Sequence, residues 1–178
     1  MENQFNCHCN QHFSETQQSL SEIEFERGIW NAAICNEVSR IQSFVLNGKT
    51  NDKDNYGYTA LHYAARNNNE EICKMLIVEG QANVNAVTKG GVTPLHRASM
   101  MGHLNIVKLL IQNKADLLIQ DEDGQTALHR ASQNNHLEIC EYLQKNCADL
   151  IKIKDKKGNV PYDLLTAKNK ELKLLLKP

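Results

Sequence analysis

The chain has 178 residues, with 20 basic against 21 acidic side chains, a net charge of −1 and an apolar share of 41%. That length suits one domain with at most a short appendage, and the near-neutral balance argues against a broad nucleic-acid or acidic-lipid surface. No apolar run approaches the roughly 18 residues of a membrane helix, the first thirty residues lack the basic start and apolar centre of a secretory signal, and six cysteines fit a reducing compartment better than a disulfide frame, so a cytosolic or nuclear protein is expected.

Residues 1–13 read as a tail without structure of its own, carrying Cys7, His8, Cys9 and His12 in CHCNQH. Four soft or borderline ligands so close together raise zinc, but structural zinc uses two separated ligand pairs and these form one tight cluster. Adventitious metal or redox reactivity suits the cluster better, and no metal or other cofactor is expected. Residues 14–26, SETQQSLSEIEFE, predict a short helix. Ser14 and Gln17 fit a capping box, and Leu20, Ile23 and Phe25 are placed to cover the apolar edge of the segment that begins at Arg27.

From Arg27 onward the chain repeats itself. RGIWNAAICNEVSRIQSFVL is followed by YTALHYAARNNNEEICKMLI from Tyr58, VTPLHRASMMGHLNIVKLLI from Val92, QTALHRASQNNHLEICEYLQ from Gln125 and NVPYDLLTAKNKELKLLL from Asn159. Thr59, Thr93 and Thr126 are spaced by 34 and 33, and Val160 takes their position one interval later. About five units result, near 27–57, 58–91, 92–124, 125–158 and 159–178, the outer two degenerate.

Each unit reads as two short helices. The three threonines stand as N-caps, and Pro94 and Pro161 follow at the first helical position, where proline's missing N–H does no harm. In the second helices Ile72, Ile106 and Ile139 are equivalent, as are Cys73, Val107 and Cys140, and Leu76, Leu110 and Leu143, giving one apolar stripe per helix. No unit can bury that stripe alone, whereas stacked neighbours can. The lysines of KNKELKLLLKP then suit a terminal cap.

T-x-L-H-x-A-[AS], with second helices such as GHLNIVKLLIQ on a period of 33 to 34, resembles the ankyrin repeat. The resemblance implies an all-α solenoid of stacked helix-turn-helix units with β-turn fingers, about five units including degenerate caps. First helices and fingers would line a concave groove, and second helices a convex back. It also implies that His62, His96 and His129, which share one slot, bond near the cap threonine and across to the neighbouring turn. A group that recurs once per unit serves the unit rather than catalysis. His103 and His136 share a second slot. Cys73 and Cys140 read as small buried apolar residues. Lys114 and Cys147 stand after second helices, in the slot that glycine fills in the ankyrin repeat these units resemble, so mild strain of about 1 kcal/mol from a left-handed backbone is expected at both.

Carried over position by position, the partner-contacting slots are Asn55, Tyr56, Tyr58, Arg66 and Asn67 in one unit. The next offers Lys89, Val92, Arg97, Met100 and Met101, and the third Glu122, Asp123, Gln125, Arg130, Gln133 and Asn134. Arg97 and Arg130 fit either a grip on an acidic or extended partner or pairing with acidic residues on neighbouring fingers. Met100 and Met101 replace polar residues and suggest an apolar contact. The basic KIKDKK reads as a solvated face. Asn85 in NVNAV falls where ankyrin-like proteins can be hydroxylated.

No P-loop, dinucleotide fingerprint, nucleophile elbow or HExxH occurs, so no catalytic residue is assigned. The expectation is a non-enzymatic, monomeric interaction module that binds a protein, and neither nucleic acid nor membrane. The alternative is a regulatory adaptor acting through the Cys/His tail, by metal, redox or docking.

Overall fold

The computed structural model describes residues 20–165. Among them are nine α-helices: α1 (Leu20–Arg27), α2 (Ile29–Ile34), α3 (Val38–Leu46), α4 (Ala60–Arg66), α5 (Glu70–Val78), α6 (Pro94–Met101), α7 (Leu104–Gln112), α8 (Ala127–Gln133) and α9 (Leu137–Asn146). Helices α2/α3, α4/α5, α6/α7 and α8/α9 form successive pairs. The stack expected from the repeat is the one observed.

First helices pack side by side, α4 between α2 and α6, and α6 between α4 and α8. Second helices touch their neighbours less closely. Side-chain size explains the difference. The first helices meet through Ala32 and Ala33, Ala64 and Ala65, Ala98 and Ser99, and Ala131 and Ser132, all fully buried. Second helices bring Ile72, Ile106 and Ile139 with Leu76, Leu110 and Leu143 to the interior. Small residues allow close approach between the first helices, and branched ones hold the second helices further apart. Each buried leucine or isoleucine contributes about 1.5–3 kcal/mol relative to exposure.

Threonine and histidine together start three of the first helices. The Thr93 N–H donates to His96 Nδ1 at 3.1 Å, while Thr93 Oγ1 lies 2.8 Å from the same nitrogen and accepts from the His96 N–H at 3.3 Å. Thr59 with His62 and Thr126 with His129 repeat the arrangement. Since Nδ1 accepts a backbone N–H, the ring is neutral and carries its proton on Nε2. That Nε2–H reaches the next unit: His62 donates to the Val92 carbonyl at 3.0 Å, His96 to Gln125 at 3.0 Å and His129 to Asn159 at 3.3 Å. Burial lowers the pKa of all three rings, that of His62 to about 4.

The second slot reaches backward. His103 Nε2 donates to the Arg66 carbonyl at 2.9 Å and His136 Nε2 to the Met100 carbonyl at 3.0 Å. Asn69, one unit earlier, donates to the Ala33 carbonyl at 2.7 Å. Fingers are joined as well, with the Glu122 N–H donating to the Gly90 carbonyl at 2.8 Å and the Lys156 N–H to that of Asp123 at 2.9 Å. Such close approach needs glycine at the turn. Gly124 has φ +76, and a Cβ there would stand 2.8 Å from the Lys156 nitrogen.

Three expectations need correction or extension. Lys114 is left-handed, with φ 66, but Cys147 is extended at φ −151 and carries no such strain. The chain leaves the pattern there and enters a 3₁₀ turn, Ala148–Lys152, that buries Leu150. The last unit's first helix is only a 3₁₀ turn, Pro161–Leu164, ending in an extended Leu165. Asp163 keeps half of the histidine's role: it accepts the Val160 N–H at 2.9 Å, yet a carboxylate has no proton to pass onward. The helix predicted from 14–26 is observed from Leu20 to Arg27. Ser14, Gln17 and the terminal KNKELKLLLKP lie outside the described residues.

Candidate protein-binding groove

One position in each finger decides what the groove presents. Asp54, Thr88, Asp121 and Asp155 share it. An aspartate here pins its own turn: Asp54 Oδ1 accepts the N–H groups of Tyr56 and Tyr58 at 2.9 and 2.8 Å, and Asp121 Oδ1 those of Asp123 and Gln125 at 3.0 and 2.9 Å. In Asp54 and Asp121 the second carboxylate oxygen then takes the group nine positions on, whereas Asp155 Oδ2 accepts from Asn159 and Gln125. Tyr63 donates its hydroxyl to Asp54 Oδ2 at 2.6 Å. Arg130 donates through Nε and Nη2 to Asp121 Oδ2 at 2.9 and 2.5 Å, and through Nη2 to Asp123 at 3.1 Å. For Arg130, pairing within its own finger is thus what the structure shows.

Arg97 holds the same slot but faces Thr88. The single Thr88 side-chain oxygen accepts the Val92 N–H at 3.1 Å, and no carboxylate pairs with Arg97 among the described residues. Its guanidinium turns back onto the preceding unit, with Cζ 5.0 Å from the Tyr58 ring centroid and Nη2 donating to the Tyr58 hydroxyl. The buried Arg97 Nε has no hydrogen-bond partner. A cation over a ring is stabilised by about 0.5–2 kcal/mol, which leaves its charge uncompensated.

Around it the sequence-derived contact residues separate into two kinds. Tyr58, Val92, Arg97, Met100 and Arg130 are half-buried, and Tyr58 and Val92 also serve the scaffold through Arg97 and His62. Tyr56, Arg66, Lys89, Met101, Glu122, Asp123 and Gln133 are exposed, Tyr56 at 71% and Met101 at 43%. Asn67 and Asn134 at the Met101 position bond to the carbonyls of Ile34 and Arg130, an option methionine lacks.

Cys73, Cys140 and Asn85 are scaffold-bound. Burial pushes the Cys73 thiol up to about 12 and that of Cys140 up to about 11, so both are small core residues rather than nucleophiles. Asn85 Oδ1 accepts the Asp116 N–H at 2.8 Å, and its Nδ2 donates to the Lys114 carbonyl at 3.3 Å. Among the described residues, no group of three or more His, Cys, Asp or Glu is placed to hold a metal ion, and no helix is long and apolar enough to cross a membrane. The Cys7, Cys9 and His12 cluster lies outside them.

Sequence reasoning missed an aromatic row at the amino-terminal end. Phe25 stacks on Trp30 with centroids 6.0 Å apart and meets Tyr63 edge-on at 5.7 Å, and Tyr63 lies 5.5 Å from Tyr58. The available signal was Tyr63 itself, an aromatic in the slot that becomes arginine in the next two units.

A stack of helix pairs, each capped by Thr and His and joined by fingers, is the ankyrin architecture. The ankyrin repeat family model matches residues 9–89, 29–121 and 80–155, and the chain belongs to that family, whose members are generally protein–protein interaction modules. Among curated relatives it is similar to ankyrin repeat domain-containing protein 39 of Homo sapiens, 42% identical over 65 residues, 36% of each chain. The Bos taurus protein of that name is 46% identical over 52 residues, 29% of this chain and 28% of its own. The chain thus spans about a third of the length of these relatives. Palmitoyltransferase Hip14 of Drosophila melanogaster is 40% identical over 83 residues, 44% of this chain and 13% of its own. That relative is an enzyme by name, so likeness in the repeats does not decide whether a chain is catalytic.

Proposed function

We propose that this chain is a non-enzymatic adaptor that holds a protein partner in the groove formed by its first helices and fingers, centred on the second to fourth units. The observation that carries the reading is Arg97. Its equivalents Tyr63 and Arg130 are each satisfied by an aspartate of their own finger, and Arg97 alone of the three is left with an aromatic ring and an unpartnered Nε. A carboxylate or main-chain carbonyl from a partner accepts from the terminal N–H groups of that guanidinium, and the neighbouring Met101 offers an adaptable apolar contact. Such central arginine and apolar anchors dominate binding energy in protein interfaces.

The adaptor works as a monomer in the cytosol or nucleus. Replacing Arg97 by Gln together with Met100 and Met101 by Ser, followed by unbiased affinity capture, tests the groove. Loss of a defined set of partners with an unchanged helical signal is expected. An unchanged set from a folded variant rejects the groove as the binding face.

A further inference from the structure

The amino-terminal end of the groove is chemically the reverse of its middle. A cleft of about 570 Å³ opens between α1 and the first finger, within the range that ligands occupy. Its apolar wall is the Phe25, Trp30 and Tyr63 group. Those rings are fixed, since Trp30 Nε1 donates to the Asp52 carbonyl at 3.0 Å and the Tyr63 hydroxyl to Asp54 at 2.6 Å. Glu22, Glu24, Glu26 and Asp54 also line the cleft, and Lys53 is the cation among its lining residues. Lys53 Nζ donates to the Val87 carbonyl at 3.0 Å, which turns its charge toward the next finger. Four carboxylates and one ammonium line the cleft, although the whole chain carries a net charge of only −1. The acidity is local to this cleft.

Aromatic faces ringed by carboxylates select one kind of guest. A cation gains from both the ring quadrupole and the carboxylate field, whereas an anion is repelled. Lysine and arginine also have methylene stems that lie along rings while the charged end stays at the rim. We infer that this cleft receives a lysine or arginine side chain from the polypeptide that occupies the groove. The inference rests on the groove-binding reading and adds a polarity to it: a basic residue of the partner sits at the amino-terminal end, and an acidic or carbonyl group sits over Arg97.

Trp30 is the single tryptophan of the chain and lines this cleft, so its emission responds to a guest bound there. The full chain is titrated with capped octapeptides alternating glycine with lysine, arginine, serine or glutamate. A saturable change is expected with the lysine and arginine peptides only, weakening as salt shortens the Debye length below roughly 10 Å. The shape-conserving variant E22Q/E24Q/E26Q is expected to bind the lysine peptide roughly eightfold more weakly, a factor of about two for each exposed ion pair. An equal response to the serine or glutamate peptide overturns the inference, as does unchanged affinity in the folded triple variant. The groove variant R97Q/M100S/M101S separates the two proposals. If it loses partners while the unmodified chain ignores the lysine peptide, the cleft inference fails alone. If it keeps every partner while the lysine peptide still binds, the groove reading fails alone.

Discussion

Thr88→Asp gives the second finger the carboxylate that the other three described fingers carry. The environment suits it: Thr88 is 6% exposed and Asp121, its counterpart, 5%. By the geometry of Asp121, one oxygen of the new carboxylate replaces the Thr88 hydroxyl on the Val92 N–H, and the other accepts from Arg97 Nε and Nη2. A hydrogen bond to a charged group contributes about 1.5–3 kcal/mol, and satisfying a buried donor removes a penalty of similar size. Desolvating the new carboxylate offsets much of this. The net expectation is a gain of about 1–2 kcal/mol, or roughly 3–6 °C in melting temperature for a chain of this size. Thermal unfolding followed by circular dichroism, in a cycle with Arg97→Gln, isolates the pair, and a coupling above about 1 kcal/mol is expected. Thr88→Asp should also weaken partner capture, because Arg97 is then neutralised as Arg130 already is. A folded variant no more stable than the parent, with no coupling beyond the scatter of independent sites, would refute the pairing rule of the finger slot.

Acid should loosen the stack through its histidines. His62 titrates near 6.5 unfolded and at about 4 folded, so its contribution of ~3 kcal/mol is intact above pH 6.5 and lost as pH falls toward 4; melting temperature should drop across that window, and less steeply in His62→Gln. Gly102→Ala should cost about 1–3 kcal/mol by urea unfolding, because φ is +83 and the new Cβ would stand 2.6 Å from His136 Cε1, whereas Gly48→Ala meets nothing within 4 Å and should cost about 1 kcal/mol. Lys114→Gly should stabilise by up to about 1 kcal/mol by relieving φ 66, while Cys147→Gly should give no gain because Cys147 is extended. Equal effects at the two sites, in the same urea assay, would contradict the backbone assignment.

The stack was legible because its rules are local and recur: a threonine three positions before a histidine, an isoleucine and a leucine four apart, a turn once per unit. The histidines could be set aside as scaffold for the same reason. Arg97 and Arg130 show where local reading stops. They occupy one slot in nearly identical strings, PLHRAS and ALHRAS, and their different states depend on a residue nine positions upstream, Thr88 or Asp121. Cys147 escapes its predicted strain because the following residues adopt a 3₁₀ turn, a choice made by the packing of Leu150 rather than by the slot itself. The aromatic cleft was less visible still, since Phe25, Trp30 and Tyr63 come from three different helices and meet only when α1 settles against the first pair.

Each histidine link between units ends on a main-chain oxygen, that of Val92, Gln125 or Asn159 going forward and that of Arg66 or Met100 going back, and never on a side chain. Every amino acid supplies that oxygen, so the joint is indifferent to what its neighbour displays. Residues facing a guest are therefore free to be exchanged over generations, or by an engineer, without unfastening one storey from the next.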